Sequence, residues 1–464
     1  MRTVRILSWA VPLAAGAALM CIGIGRPWTG SYDANGALYS TAARNYLRHG
    51  LVATRGGQVC NAGEMEPSAF RFYSHHPPGV SLAMAASFAL FGVHEWSARL
   101  PFVAFTLAAT GILFYVVCVL GGRLAGFFAA FLFAVQPMVA FYGRMPDHEA
   151  PAAFFALAQV ACYVRWRVEG GRRWLALGCV AAFVGVWFAW VVVLMPFLLL
   201  AVQWLTQRRE AGPMLLPVAA GALGFATVLG HVALVGGGLG ELWGTLAQRT
   251  GSQVAEGGAV ASFGLLDFLG RHWTYFATAF SGVVGCVSLV WLAGLRVRRR
   301  VESLLVAALA AFALFNILAF RQGSFEHIYY QYYLAMPLAM AAGRALADLC
   351  RARRAVWFLL ALWVAGVAGV EGWVKHSAIR RAEFYLGQMA TAPKLGKVTE
   401  RPDRVLIVYE GGRSLRQLAY YSDRNITQAR TLAEAEALWQ RGGYARAFRL
   451  IEASDREMRI EEGF

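Results

Sequence analysis

Polar positions along this chain fall in short islands, and the stretches between them are apolar for about twenty residues at a time. The clearest apolar runs are "ILSWAVPLAAGAALMCIGI" (6–24), "WTYFATAFSGVVGCVSLVWLAGL" (273–295) and "VESLLVAALAAFALFNILAF" (301–320). Each is long enough to cross a bilayer as a helix. Hydrocarbon offers no partner for backbone N–H and C=O groups, so a spanning segment must satisfy them within itself. The pattern predicts an all-α polytopic membrane protein. Arg2 and Arg5 ahead of the first run, with no small-x-small site before the next polar island, predict an uncleaved signal anchor.

Charge fixes the threading. The basic clusters "RWRVEGGRR" (165–173), "QRR" (207–209), "RVRRR" (296–300) and "RARR" (351–354) sit at breaks between apolar runs, as cytoplasmic anchors do. With these inside, 25–77, 143–149, 237–272 and 321–328 are outer loops. The apolar residues between "RWRVEGGRR" and "QRR" make a hairpin of two short crossings turning near Gly185–Trp190. The stretch 78–92 would extend only about 22 Å as a helix, too little for a core about 30 Å thick, so it lies along the outer surface or re-enters. The count is about 11 transmembrane helices. The domains predicted are 1–373, in the membrane, and 374–464, a small α/β extracytoplasmic C-terminal domain. In the latter "RVLIVYE" and "ARAFRLIE" read as strands, and "SLRQLAYYSD" and "TLAEAEALWQRGG" as helices, the last ending at a glycine.

Composition agrees: the 464 residues are 58% hydrophobic and only 15% charged. The net charge of +16 would suit nucleic acid, but its confinement to the breaks between spans argues for a membrane and no nucleic-acid partner. Six of the seven cysteines lie within or at the edge of apolar runs and Cys60 alone in a polar loop, which excludes a disulfide framework. No CxxC or HExxH spacing marks a metal; none is required, and a divalent cation near Asp33 and Asp147 stays open.

Three outer islands carry candidate chemistry. Asp33, in "SYDANGALYSTAARNYLRHG", has the position of a helix N-cap. The same loop adds Glu64, Glu66, Arg71, His75 and His76 in "EMEPSAFRFYSHHPPG". "MPDHEAP" brings Asp147, His148 and Glu149 to the start of the next helix, where capping and dipole matching would also place acids. Two acidic islands with histidines between them suit a site that deprotonates a hydroxyl and holds a leaving phosphate. The third island, "RQGSFEHIYYQYYLAMPLAM", has tyrosines that read mostly as an interfacial belt, while His327 and its aromatic neighbours suit a phosphate or a sugar at the bilayer surface. Arg271 and His272 add positive charge there or anchor the interface.

"HHPPGVSLAMAASFALFGVHEWSARLP", with an Asp after the first span and "MPDHEAPAAFFALA" further on, resembles the multi-span type-C (GT-C) glycosyltransferases. Among these the likeness is to protein O-mannosyltransferases, lipid A aminoarabinose transferases and rhizobial core-oligosaccharide transferase-like proteins. "HIYYQYYLAMPLAMAAG" is similar to a later span of the same group, and the likeness runs along most of 1–350. The resemblance implies a polyprenyl-phosphate sugar donor, inversion at the anomeric carbon, and a glycan, lipid or protein acceptor at the periplasmic face of a bacterial inner membrane, as in lipopolysaccharide synthesis. It implies Asp33 as general base and Asp147 as the acid that positions the acceptor or assists the base, with Glu149 and Glu66 as secondary acids. It makes His76, His327 and Tyr330 candidates for holding the donor phosphate, and the charges of the same islands add His75, Arg71 and Arg271 to them. His76 stands where some members carry lysine, so its charge would depend on pH. The competing reading is a transporter or lipid flippase, which predicts ionisable residues within spans and repeated halves; the charges here cluster in loops and no halves match.

Overall fold

The computed structural model describes residues 2–251, 263–294, 301–352, 355–454 and 456–463. The chain divides into two compact units, one of Met1–Gly23, His75–Gly79 and Phe102–Ala378, the other of Ile24–Ser74, Val80–Pro101 and Ile379–Phe464. Among the described residues five helices are long and apolar enough to cross a membrane, and six if a bent pair is one span. The clearest are Glu95–Gly121, Gly212–Gly236 and Val301–Ala319. Shorter apolar helices cover Ser8–Cys21, Gly79–Phe91 and Arg123–Val135. The basic cluster 296–300 lies outside the described residues, as do 353–354.

The first unit is helical. Arg123–Val135 packs against Ala335–Arg351, and both bury rows of alanines that let the backbones approach closely. Where a hairpin of two crossings is expected, Arg172–Val186 and Leu194–Gln207 are separate helices joined through a short 3₁₀ turn, Trp190–Val193, and Arg172–Val186 packs against Glu149–Glu169 and Leu215–Gly236. The run 273–295 differs from the single span expected. It belongs to two helices, Leu265–Ala279 and Gly282–Gly294, bent by 115°. Side chains from elsewhere satisfy the broken backbone: Lys375 Nζ donates to the carbonyls of Ala277 and Phe280, at 2.8 and 2.7 Å, and the Ser281 N–H donates to Gln136 Oε1 at 2.8 Å. The aromatic island also differs. Ile328–Leu334 is a 3₁₀ segment whose tyrosines 329, 330, 332 and 333 are all buried in the protein, so they form no exposed belt.

The second unit holds a four-stranded sheet, β1 (Arg404–Val408), β2 (Asn425–Ala429), β3 (Arg446–Ser454) and β4 (Glu457–Glu462), in the order β2-β1-β3-β4. β1 is parallel to both neighbours, and β3 and β4 are antiparallel. The helices Arg416–Ser422 and Leu432–Gln440 make the crossovers that parallel neighbours need. Alternate residues of β1 fill opposite faces, Val405 and Ile407 with Leu418 and Phe448, Leu406 and Val408 with Ala429 and Ala435. This unit is wider than the C-terminal segment, because 24–74 and 80–101 belong to it. Arg44 and Arg48, on the helix Asp33–Ala53, both pair with Asp423, at 2.9 and 2.7 Å.

Candidate active site

Asp33 is in the second unit and Asp147 in the first. Asp33 is not a cap. Tyr32, at the cap position, is in the left-handed region with φ 60°, which costs a non-glycine residue about 1 kcal/mol. Asp33 begins the helix, and its carboxylate turns back so that Oδ2 accepts the Gly30 N–H at 2.7 Å. Oδ1 faces Arg99 Nη2 at 3.5 Å, and both side chains are buried. The carboxylate benefits from the positive end of its helix. Glu66 and Arg71 lie in this unit with exposed side chains, Glu66 ahead of the 3₁₀ turn Pro67–Ala69 and Arg71 accepting the Cys60 N–H on its carbonyl at 2.9 Å.

In the first unit, Arg144 secures the loop before Asp147 by donating to the carbonyls of Met20 and Ile22, at 3.0 and 2.6 Å. Asp147 Oδ1 then lies 2.6 Å from His148 Nδ1, and Glu149 Oε1 lies 3.2 Å from His148 Nε2. Donor atoms of Asp147, His148 and Glu149 are all within 4.8 Å of one another, so this triad has the spacing to hold a divalent cation. Burial works against a charged imidazole, but the carboxylates of Glu149 and Asp147 outweigh it and push His148 up to about 9. Burial likewise works against a charged Asp147, yet the His148 charge and hydrogen bond hold its carboxyl below the usual range. Burial, and then the Asp147 charge, push Glu149 up. At neutral pH the triad therefore contains an imidazolium between an ionised and a protonated carboxyl.

The His76 ring stacks on His148 with centroids 4.4 Å apart. Burial and the neighbouring His148 hold His76 well below its ordinary value, so it is neutral. The turn that presents it needs the glycine of "HHPPG". Gly79 N–H donates to the Trp187 carbonyl at 2.9 Å, and a Cβ there would lie 2.4 Å from that oxygen. Trp190 Nε1 donates to the His75 carbonyl at 3.1 Å, fixing the adjacent residue.

These residues open onto a crevice of about 80 Å³. Its polar side is His75, His76, His148, Arg249, Asn316 and Tyr330, and its apolar side Trp190, Val191, Leu242, Leu246 and Phe320. Of the six donor-phosphate candidates, His75, His76 and Tyr330 line it. His327 instead stacks on Tyr329, at 5.2 Å, and burial holds it at about 4, hence neutral. Arg271 is exposed and lies over the rings of Phe325 and Tyr275, at 5.0 and 5.8 Å.

The comparisons with known proteins bear on the fold. Residues 75–233 match the model of the family described as dolichyl-phosphate-mannose-protein mannosyltransferase. No curated protein sequence matches the chain. Among solved structures, ArnT from Cupriavidus metallidurans bound to undecaprenyl phosphate is similar at a TM-score of 0.67 and 14% identity, over 99% of this chain and 98% of that one. The Archaeoglobus fulgidus oligosaccharyltransferase AglB, in complex with an inhibitory peptide and a dolichol-phosphate, is similar at 0.63 and 12% identity, over 96% of this chain and 69% of that one. The arabinofuranosyltransferase AftD from Mycobacteria is similar at 0.54 and 16% identity, over 92% and 32%. The chain has the GT-C glycosyltransferase fold.

Within this GT-C fold, two residues that sequence patterns did not single out stand at the candidate groups. Arg99 faces Asp33, and Arg249 is the permanent cation of the crevice. Arg99 carried a signal: it is the one basic residue in the apolar stretch 95–121 of the "EWSARLP" helix, and buried ionisable residues in such helices are costly. Arg249 carried little, because the helix Gly240–Thr250 lies in what the hydropathy pattern makes an outer loop.

Proposed function

We propose that the protein is an inverting glycosyltransferase that moves a sugar from a polyprenyl-phosphate donor to a hydroxyl acceptor at the outer face of a bacterial cytoplasmic membrane. The observation that carries this reading is the two-sided crevice. Arg249 and the His148 imidazolium offer charge to the lipid phosphate, a diester in the donor and a monoester once the sugar has left, and the Trp190, Leu242, Leu246 and Phe320 wall offers apolar contact to the first isoprene units. The ligands bound in the similar structures, undecaprenyl phosphate for ArnT and dolichol-phosphate for AglB, have the same two-part chemistry.

In the reaction proposed, an acceptor oxygen attacks the anomeric carbon from the side opposite the phosphate. The new C–O bond forms as the bond to the phosphate oxygen breaks, and the electron pair leaves with the lipid phosphate. Asp33 takes the acceptor proton and Asp147 orients the acceptor. Arg249 and His148 neutralise the charge on the departing phosphate. A divalent ion held by the Asp147–His148–Glu149 triad would require His148 and Glu149 to lose their protons, and would then supply the charge neutralisation in place of the imidazolium. The topology that goes with this reading has about 11 crossings, the segment 374–464 outside, and a lipopolysaccharide or other envelope glycan as the broad acceptor class.

The test is transfer of radiolabelled sugar from a panel of polyprenyl-phosphate sugars by membranes carrying the full chain. Label that moves to an acceptor only when the chain is present supports the reading. A chain that moves an intact lipid phosphate across liposomes, without cleaving any donor, would replace it with the flippase reading.

A further inference from the structure

The stretch just before Asp33 is held from two directions within its own unit. Arg99 is buried, its guanidinium lies 4.0 Å from the Trp28 ring centroid, and it donates to the carbonyls of Ile24, at 2.7 Å, and Arg26. The same guanidinium faces Asp33 Oδ1. From the C-terminal segment, the Tyr421 hydroxyl accepts the Trp28 N–H and donates to Glu95 Oε1, each at 2.7 Å. The Phe384 N–H donates to the Thr29 carbonyl at 2.7 Å, and Arg26 pairs with Glu383.

A buried guanidinium is costly unless its donors are used, and here its fixed fork addresses two carbonyls and a carboxylate together. Trp28 is wholly buried, and its ring is the surface against which that fork is stacked. The carboxylate of Asp33 thus has one oxygen set by the Gly30 N–H and the other by Arg99.

We infer that Arg99 is the positioning residue of Asp33, and that the C-terminal α/β segment serves the site through Tyr421, which holds the backbone of Trp28, the residue on whose ring Arg99 is stacked. The inference rests on Asp33 acting as the base. It also gives the C-terminal sheet a role in the chemistry. The crossover helix Arg416–Ser422 carries Tyr421, so the packing of the sheet is transmitted to the aim of one carboxylate.

The experiment compares purified full-length wild type, Arg99→Gln, Arg99→Lys, Tyr421→Phe and Asp33→Asn. For each, kcat and the KM for the donor are measured with the polyprenyl-phosphate sugar that the wild type uses, alongside thermal unfolding. A displacement of about 1 Å at a reacting group costs about 100-fold in rate, so Arg99→Gln should lose about that in kcat with KM nearly unchanged. Arg99→Lys, which keeps the charge but not the fork, should recover about tenfold of the loss, and Tyr421→Phe should lose about three- to tenfold. If Arg99→Gln does not fold, the lysine and phenylalanine variants make the same comparison. The inference is overturned if folded Arg99 variants keep wild-type kcat while Asp33→Asn is inactive. It is also overturned if lysine and glutamine are equally impaired with KM rising in step, the mark of a structural staple. Full activity in Asp33→Asn would instead remove the reading of Asp33 as base, and the inference with it.

Discussion

Replacing Arg249 by glutamine should weaken binding of a polyprenyl phosphate by about 30-fold while leaving the protein folded. A phosphate about 4 Å from a guanidinium gains about 4 kcal/mol of Coulomb energy at an effective dielectric constant of about 20. Desolvation takes back much of that, and hydrogen bonds to charged groups are worth about 1.5–3 kcal/mol net. Arg249 also pairs with Glu326, at 3.5 Å, with both side chains partly exposed. A pair of that kind contributes about 0–1 kcal/mol, so losing it alters stability little. About 2 kcal/mol remains for the ligand, which is about 30-fold in Kd. The assay is titration of a short-chain polyprenyl phosphate, without sugar, into the detergent-solubilised wild type and variant, with thermal unfolding as the control. A Kd within about twofold of wild type in a folded Arg249→Gln protein would refute the assignment of the crevice to the phosphate.

Two further outcomes follow from the same structure. His327 is held at about 4 against an ordinary 6.5, so as pH falls from 6.5 towards 4 the unfolded chain takes a proton that the folded one refuses. Stability contributed by the neutral ring is complete above pH 6.5 and is lost on acidification, by about 1–3 kcal/mol, and His327→Gln should flatten that slope in unfolding curves at pH 7.5, 6 and 5. Gly36→Ala would place a Cβ 2.4 Å from the Trp28 ring, and the about 1 kcal/mol gained in helix propensity is offset by an overpacking cost of about 1–3 kcal/mol. Its kcat should fall with the Arg99 variants while donor Kd stays at the wild-type value; an unchanged kcat would show that the Trp28 ring does not bear on the site.

The apolar runs and their positive flanks made the helical architecture legible, because length and hydropathy are local properties. The helix break near Trp190 and the strands at 404–408 and 446–454 were legible for the same reason. The bend between Ala279 and Gly282 was not, since what satisfies the broken backbone is Gln136 and Lys375, each about a hundred residues or more away in sequence. β2, "NITQA", and β4, "EMRIEE", were missed because their polar residues hide the alternation that marks a half-buried strand. From its position alone Asp33 read first as a helix cap, and only the neighbouring polar islands pointed to a functional acid. Its bond to the Gly30 N–H, which turns the carboxylate back along the chain, leaves no trace in residue spacing. The tyrosines of 329–333 looked interfacial because the sequence shows aromatic composition, not the 3₁₀ turn that folds them inward. The "HPPG" turn and "MPDHEAP" drew attention as candidates because they concentrate polar groups between spans, whereas Arg249 and Arg99 stand at the candidate groups through partners distant in the chain.

The measurement that tests the central claim most directly is single-turnover sugar transfer by wild type and Asp33→Asn, with donor binding measured on the same preparations. The account predicts unchanged donor affinity and a transfer rate lowered by at least about 100-fold, the contribution of a general base. Transfer by Asp33→Asn at the wild-type rate, with donor bound equally well, would contradict it.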